Sequence, residues 1–302
     1  MIVDRPLVGI ALIIGFCVVA PFNDAFAKIL GNTIPLVQLM TVRLGLQFVI
    51  LMPIILATGR SLKMTTRVFR LTILRTAFHV AGIGMMFTAL RYLPLADAVA
   101  ITFVMPFILL ILGRFVLDEE VGPRRLAACA AGFIGTLLVV QPSFVNVGWP
   151  AFLPLAVALI FAFYMLISRQ IAKDADPLTL QAVGGLMATP VLGLILWLGL
   201  DSDNVALGFK NPDMREVVLL VMVGIMGTFA HLLMAWALRY APSATLAPIQ
   251  YLEIPFATLI GWLIFHDLPN GLAAFGIVIT VASGLYIIYR ERMTAIREPV
   301  EV

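Results

Sequence analysis

The sequence has few charged residues. Asp, Glu, Lys and Arg make up 12% of its 302 residues, whereas 62% are hydrophobic. Soluble domains carry about 25% charged residues, and here the apolar residues extend along the whole chain instead of forming one anchor. Each helical span of a membrane needs roughly 20 mostly apolar residues. The composition therefore excludes a soluble globular domain and predicts an all-α polytopic membrane protein.

Residues that bind metals or form disulfides are also scarce. Cys17 and Cys129 both lie in apolar segments, where small core residues are a better interpretation than a disulfide or a metal site. The sequence has no glycine-rich phosphate loop, no H-E-x-x-H and no group suited to a nucleophilic triad. We therefore predict no catalytic residues, no metal and no cofactor. The net charge of +3 comes from basic residues in short loops, so no nucleic-acid partner is expected.

One stretch of the sequence occurs twice. Ala89-Leu-Arg-Tyr-Leu-Pro-Leu-Ala and Ala237-Leu-Arg-Tyr-Ala-Pro-Ser-Ala are 148 positions apart, and at the same shift Gly113 falls on Gly261. A match of this length indicates duplicated architecture. We predict two halves, a first five-helix repeat over residues 1–145 and a second over residues 146–302.

Ten apolar segments are long enough to be spans, and no loop between them is long enough for a soluble domain. They lie at about 7–30, 34–57, 71–90, 96–116, 124–141, 151–170, 177–199, 216–237, 243–264 and 271–290. Because five spans is an odd number, the second half must enter the membrane from the opposite side. Inverted repeats of this kind surround a central cavity in many secondary transporters.

The Lys and Arg residues predict the orientation of the chain. Of the 20, 15 fall on the side of the N-terminus. The positive-inside rule therefore places both termini in the cytoplasm, with the chain in the inner membrane.

Two features leave alternatives open. Arg5, the apolar run from Leu7 to Ala20 and Ala25-Phe26-Ala27 also have the order of a signal peptide, whose cleavage would remove the first span. In spans five and ten, small residues repeat every four positions, which lets helices approach closely in lipid. That pattern fits packing within one chain or a contact between subunits, so we expect a monomer or a homodimer.

Ionisable side chains inside spans are costly, so each should face the interior and have a partner. Asp24 and Lys28 are four residues apart on one helical face, and Arg43 lies at a similar depth in span two. We predict that these three residues form structural ion pairs that lock spans one and two together. A role in substrate binding is the alternative.

Glu253 lies midway along span nine, with Gln250 one turn earlier and Pro255 two residues later. A proline removes a backbone donor and can leave carbonyl groups facing a cavity. We therefore predict that Glu253 and Gln250 take part in substrate binding or proton coupling. The alternative is a protonated Glu253 that is hydrogen-bonded to a neighbouring helix.

His79 and His231 lie in spans three and eight, at matching positions of the two halves to within one turn. A single buried histidine is usually structural, but two at equivalent depths are candidates for the lining of a cavity. Aromatic residues are expected to supply further cavity wall: Phe103, Tyr164, Trp236 and Tyr251.

These residues, together with the repeated motif, resemble the drug/metabolite transporter superfamily in its ten-helix EamA-type branch. The resemblance also rests on Met105-Pro106, Leu112-Gly113 and Asp118-Glu119-Glu120, and it covers nearly the whole chain. Two departures concern the second half, where Ile254 separates Glu253 from Pro255 and His266-Asp267 replaces the usual Gly-Glu. YddG-like amino-acid exporters are the nearest comparison within that branch.

The resemblance implies a secondary transporter that moves small polar metabolites by alternating access. We expect export of amino acids, including aromatic ones, through a cavity formed by spans one to four and six to nine. The expected partners are a small-molecule substrate and the lipid bilayer. One alternative is an importer of S-adenosylmethionine or another nucleotide-like or sugar-like metabolite. Another is a membrane receptor or assembly factor that carries no flux.

Overall fold

A computed structural model describes residues 5–119, 121–140, 148–200, 204, 206–266 and 271–297, and all regular structure in these ranges is helical. The helices are α1 (Pro6–Gly31), α2 (Leu36–Ala57), α3 (Thr66–Ala89), α4 (Leu95–Thr102), α5 (Met105–Val116), α6 (Pro123–Val140), a 3-10 turn (Trp149–Phe152), α7 (Leu153–Ile171), α8 (Pro177–Leu198), α9 (Met214–Tyr240), α10 (Ser243–Gln250), α11 (Glu253–Phe265) and α12 (Gly271–Arg297).

The helices account for all ten predicted spans. Within the described ranges, eight stretches are long and apolar enough to cross a membrane when α4–α5 and α10–α11 are each taken as one. The predicted spans 124–141 and 271–290 correspond to α6 and α12. The predicted fold class, an all-α polytopic membrane protein, is therefore confirmed. The predicted boundary between the halves at 145/146 lies outside the described residues, as do Glu120 and Asp267.

Spans four and nine each break in the middle, which the sequence analysis does not foresee. The first gap lies at 103–104 and the second at 251–252, so the two gaps are separated by the repeat distance. Pro106 and Pro255 follow the gaps. Because proline has no backbone N–H, it cannot continue the helical hydrogen-bond ladder across either gap.

Helices of the two halves pack against one another in matched pairs. α1 packs against α9, and the equivalent helices of the opposite halves, α7 and α3, are also in contact. α2 packs against α8 and α6 against α12, and each of these pairs joins two equivalent helices. One apolar core runs through both halves. This packing is the twofold arrangement expected of inverted repeats.

The two copies of the repeated motif lie at opposite ends of the bundle. The Tyr240 carbonyl accepts a 2.7 Å hydrogen bond from the Arg5 N–H at the start of α1. Arg91 Nη2 donates to the Ile34 carbonyl at 3.0 Å, just beyond the end of α1. Since α1 has 26 residues, the two ends are about 39 Å apart at 1.5 Å per residue. They are named below the Tyr240 end and the Arg91 end.

α6 and α12 meet along their small residues. A Cβ atom on Gly135 would lie 2.6 Å from Thr280 Oγ1 and 2.8 Å from the Gly276 carbonyl oxygen, so this contact requires glycine. The close approach occurs within one chain. It therefore favours packing within one chain as the explanation of the small-residue pattern. The oligomeric state itself stays a prediction.

Candidate substrate cavity

A cavity of about 80 Å³ lies between the two halves. It is nearer the Arg91 end, because Phe87 and Val99 are close to the α3–α4 turn at that end. Spans one to four, six, eight and nine contribute to it. Its lining residues are Phe16, Ala20, Asn23, Asp24, Arg43, Ile83, Met86, Phe87, Val99, Thr102, Phe103, Met105, Val157, Phe161, Met165, Gly227, Ala230, His231, Met234 and Glu253.

Most of the cavity wall is apolar and rich in aromatic and sulfur-containing side chains. Four phenylalanines and four methionines are among the 20 lining residues. The Phe161 ring also stacks on the His231 ring, with centroids 6.2 Å apart and planes inclined by 14°. Aromatic faces favour stacking on flat rings, and methionine adapts to irregular shapes. A wall of this composition suits a flat aromatic ligand.

A small polar group interrupts the apolar wall. Asn23 Nδ2 donates to Asp24 Oδ1 at 2.9 Å. Among the described residues, Asn23 Oδ1 has no hydrogen-bond partner, and neither do Nε and Nη1 of Arg43. Gly227 makes room for both side chains, since a Cβ atom there would lie 2.8 Å from Arg43 Nε and from Asn23 Oδ1. An unpaired donor and an unpaired acceptor therefore lie side by side at the wall.

Three of the eight predicted cavity residues line the cavity, namely Phe103, His231 and Glu253. Glu253 is the first residue of α11, where the positive end of the helix dipole favours a carboxylate. Phe103 lies in the break between α4 and α5, and its ring centroid is 5.6 Å from that of Tyr251. The helix breaks therefore bring Phe103 and Glu253 to the cavity. Their roles in binding stay predictions.

His79 and Tyr164 are buried beneath the cavity, towards the Tyr240 end. The His79 ring stacks on Tyr164 at 4.8 Å and meets the His231 ring edge-on at 4.3 Å. Arg75 donates from Nη2 to the Tyr164 hydroxyl at 2.7 Å and from Nε to Ser168 Oγ at 2.8 Å. We name Arg75, His79, Tyr164 and His231 the floor cluster. Of the two histidines, only His231 is among the residues that line the cavity, and a role of His79 and Tyr164 in substrate binding or coupling stays a prediction.

The other three predicted cavity residues also pack elsewhere. The Tyr251 ring lies against α6, where a Cβ atom on Gly132 would approach it to 2.5 Å. Gln250 is buried, with its Nε2 3.3 Å from Met165 Sδ. Trp236 packs against an apolar cluster of α2, α8 and α9. An unbroken span nine would keep residues 250–253 on regular helical faces, but the break at 251–252 changes the direction in which they point.

The predicted ion pairs around Asp24 are not among the ion pairs of the described residues. Lys28 Nζ instead donates to the Leu90 and Leu93 carbonyls at 2.9 and 2.5 Å. The last carbonyl groups of a helix lack intrahelical partners and attract cations, so the end of α3 competes with Asp24 for Lys28. Asp24 and Arg43 both line the cavity, and whether their role is structural or in substrate binding stays a prediction.

Hydrogen bonds between the halves close the Tyr240 end. Glu119 accepts from the backbone N–H groups of Ser243 and Ala244, at 3.1 and 3.0 Å, and from the Ser243 hydroxyl at 2.6 Å. Arg169 Nε lies 3.2 Å from Glu119 Oε1, and its Nη1 donates to the Leu238 carbonyl at 2.7 Å. Glu119 therefore caps the N-terminus of α10. It links the end of span four to span nine of the other half.

Sequence reasoning misses several lining residues. Asn23 has a signal in the sequence, because it is a polar residue next to an acid inside an apolar run. Gly227, Phe16 and Phe161 have none, since any membrane span contains glycine and phenylalanine and only the packing decides which of them face a cavity.

Comparisons with known proteins identify the family. The profile of the EamA-like transporter family matches residues 7–141 and again residues 148–290. The riboflavin transporter of Rhizobium johnstonii is 29% identical over 74% of this chain and 72% of that protein. The S-adenosylmethionine uptake transporter of Rickettsia prowazekii is 24% identical over 94% of this chain and 93% of that protein.

A solved structure supports the fold independently. This crystal structure of a protein with 18% identity matches with a TM-score of 0.74 and covers 96% of this chain and 98% of that one. The chain therefore belongs to the EamA-like transporter family and is a multi-pass membrane transporter of small metabolites.

Proposed function

We propose that the protein takes up a flat heteroaromatic metabolite of the riboflavin or S-adenosylmethionine kind. The observation that carries this proposal is the cavity wall, in which four phenylalanines and four methionines surround a few hydrogen-bonding groups. Phenylalanine rings bind flat heterocycles by stacking. Convergent polar groups in a mostly apolar pocket fix a ligand's orientation.

The names of the relatives favour the same class of substrate. They are named for riboflavin and for uptake of S-adenosylmethionine, and each of these molecules contains a flat heteroaromatic ring. The expected export of amino acids has no support from these names. The importer that the sequence analysis left as an alternative fits better, so uptake replaces export.

Riboflavin is the first candidate, because Arg43 and Asn23 offer a donor and an acceptor to a neutral ring with hydrogen-bonding edges. S-adenosylmethionine is the second candidate for a separate reason. Asp24 and Glu253 bring two carboxyl groups to the cavity, and a carboxylate near the wall suits a sulfonium cation.

The closed end of the molecule is compatible with uptake. The cavity lies nearer the Arg91 end, and Glu119 with Arg169 ties the two halves together at the Tyr240 end. If the Tyr240 end is cytoplasmic, as the positive-inside rule predicts, the cavity accepts substrate from outside. Release then requires the floor cluster and the Glu119 contacts to separate while the Arg91 end closes.

Uptake into proteoliposomes tests the proposal. We expect saturable uptake of labelled riboflavin or S-adenosylmethionine and none of labelled phenylalanine, and an imposed pH gradient tests proton coupling. Phe103→Ala should raise the KM, whereas Phe115→Ala, a change in the same span at a side chain that is 79% exposed, should not. Folded wild-type protein that transports neither heteroaromatic compound would contradict the proposal, and binding without flux would favour the receptor alternative.

A further inference from the structure

We propose that Asn23 and Arg43 form a subsite that recognises the edge of the substrate's heterocycle by hydrogen bonds. The subsite takes an edge on which an acceptor atom stands beside an N–H donor. This inference rests on the proposed function, since it names the part of the substrate that the cavity recognises.

Arg43 and Asn23 have polar atoms that lack hydrogen-bond partners among the described residues. Arg43 is 1% exposed and Asn23 is 6% exposed, yet Arg43 Nε and Nη1 and Asn23 Oδ1 make no hydrogen bond to any described residue. A buried polar group without a partner costs free energy, and a buried charge costs more. Both residues line the cavity, so a ligand that fills it can supply the missing partners once these buried atoms turn towards it.

The contact with Asp24 fixes the orientation of the Asn23 amide. A carboxylate only accepts hydrogen bonds, so the contact with Asp24 Oδ1 at 2.9 Å takes the NH₂ group of Asn23. The amide oxygen is left as an acceptor beside the Arg43 guanidinium. Gly227 leaves the space for this juxtaposition, since a Cβ atom there would lie 2.8 Å from Asn23 Oδ1 and from Arg43 Nε and Nη2.

The donor and the acceptor of the subsite are complementary to the edges of certain heterocycles. A donor beside an acceptor matches an edge that offers an acceptor beside a donor. The dione edge of a flavin ring has carbonyl oxygens on either side of an N–H group, and the edge of adenine has a ring nitrogen beside an amino group. A carboxylate offers two acceptors and no donor, so it would satisfy Arg43 but would face the Asn23 oxygen unfavourably. The subsite therefore selects a heterocycle edge over a carboxylate.

Paired analogues test the subsite in purified full-length protein by titration of the ligand-induced shift in melting temperature. One pair is lumiflavin and 3-methyllumiflavin, in which a methyl group blocks the N–H donor. The other is methylthioadenosine and its N6,N6-dimethyl derivative. We expect the wild type to bind the unmethylated member of at least one pair about tenfold to a hundredfold more tightly, because methylation leaves a buried acceptor unpaired. The pair that binds shows whether the subsite recognises a flavin ring or an adenine ring.

Three variants test whether the preference for the unmethylated analogue depends on this subsite. Asn23→Leu and Arg43→Gln should bind both members of the pair with similar, weaker affinity. Gly227→Ala should do the same, because it displaces the guanidinium while keeping both side chains. Arg67→Gln, the same change at an exposed arginine near the Tyr240 end, should keep the full preference. Unliganded melting temperatures show whether each variant is folded.

The outcomes separate the two proposals. If the wild type shows no preference within either pair, or if both Asn23→Leu and Arg43→Gln keep it, the subsite is refuted even when riboflavin or S-adenosylmethionine is transported. If neither compound is transported but a preference that depends on Arg43 is measured, the proposed function fails and the subsite stands. If no heterocycle binds and none is transported, both fail.

Discussion

Two buried arginines in the same bundle differ in what surrounds them. Arg43 and Arg75 are each 1% exposed. Arg75 donates from two nitrogens to Tyr164 and Ser168, and its guanidinium carbon lies 4.6 Å from the centroid of the Tyr164 ring. Arg43 leaves two nitrogens without a partner at the cavity. Burial alone therefore does not identify a functional charge. A buried charge whose hydrogen bonds are satisfied is structural, whereas one without partners is available to a ligand.

Removal of each guanidinium should affect the stability of the protein very differently. We expect Arg75→Gln to destabilise the unliganded protein by about 3 kcal/mol, because hydrogen bonds to a charged group contribute about 1.5–3 kcal/mol each. Arg43→Gln should leave the unliganded melting temperature unchanged or raise it, since it removes a buried charge that lacks bonds. Thermal unfolding in detergent, followed by intrinsic fluorescence, compares the two variants directly.

A conservative variant of Arg75 serves as the control. Lysine keeps the charge but loses the planar fork of donors, so Arg75→Lys should recover only part of the lost stability. Equal destabilisation by Arg43→Gln and Arg75→Gln would mean that Arg43 is a structural residue, and the distinction drawn between the two arginines would then be wrong.

The sequence alone predicts the fold of this protein well. Ten long apolar segments and the repeated Ala-Leu-Arg-Tyr motif are enough to predict ten spans and inverted halves, because span length and an odd helix count depend only on the chain. The breaks in spans four and nine are missed. Pro106 and Pro255 each allow a break, but proline also occurs within continuous membrane helices, as Pro21 does within α1.

The candidate site is predicted less well, for a physical reason. Which side of a helix faces a cavity depends on how the helices pack, and in an apolar span every side carries similar residues. His231 and Glu253 are found because ionisable groups in spans are rare. His79 is assigned to the cavity by the same reasoning, yet it stacks in the floor cluster. Lys28 reaches helix-end carbonyls, a partner that a comparison of charged residues alone does not consider.

Glu119 provides a second test, at the closed end of the molecule. We expect Glu119→Ala to remove the cap of α10 and the bond to Arg169, at a cost of about 1–2 kcal/mol to the closed arrangement. Such a change shifts a two-state equilibrium towards the open state by about tenfold. The labelling rate of Thr245→Cys, at a buried position in the first turns of α10, measures the shift once Cys17 and Cys129 have been replaced by alanine.

The reference for that measurement is the same labelling in the protein with Glu119 intact. Faster labelling with Glu119→Ala, at an unchanged far-UV circular dichroism spectrum, would support a link that holds the Tyr240 end shut. An unchanged labelling rate would mean that contacts other than those of Glu119 keep this end closed.

The smallest effect is expected at the rim of the closed end. Arg67 pairs with Asp174 at 3.0 Å, but the two side chains are 64% and 48% exposed. Exposed ion pairs contribute about 0–1 kcal/mol, because water screens the charges and both side chains lose conformational freedom. We therefore expect Arg67→Gln to change the melting temperature and the Thr245→Cys labelling rate by no more than the scatter between replicate measurements. A loss of stability as large as that of Arg75→Gln would show that surface charges hold this end together. The difference between Arg75, which is hydrogen-bonded, and Arg43, which leaves two nitrogens without a partner among the described residues, would then explain little of the protein's stability.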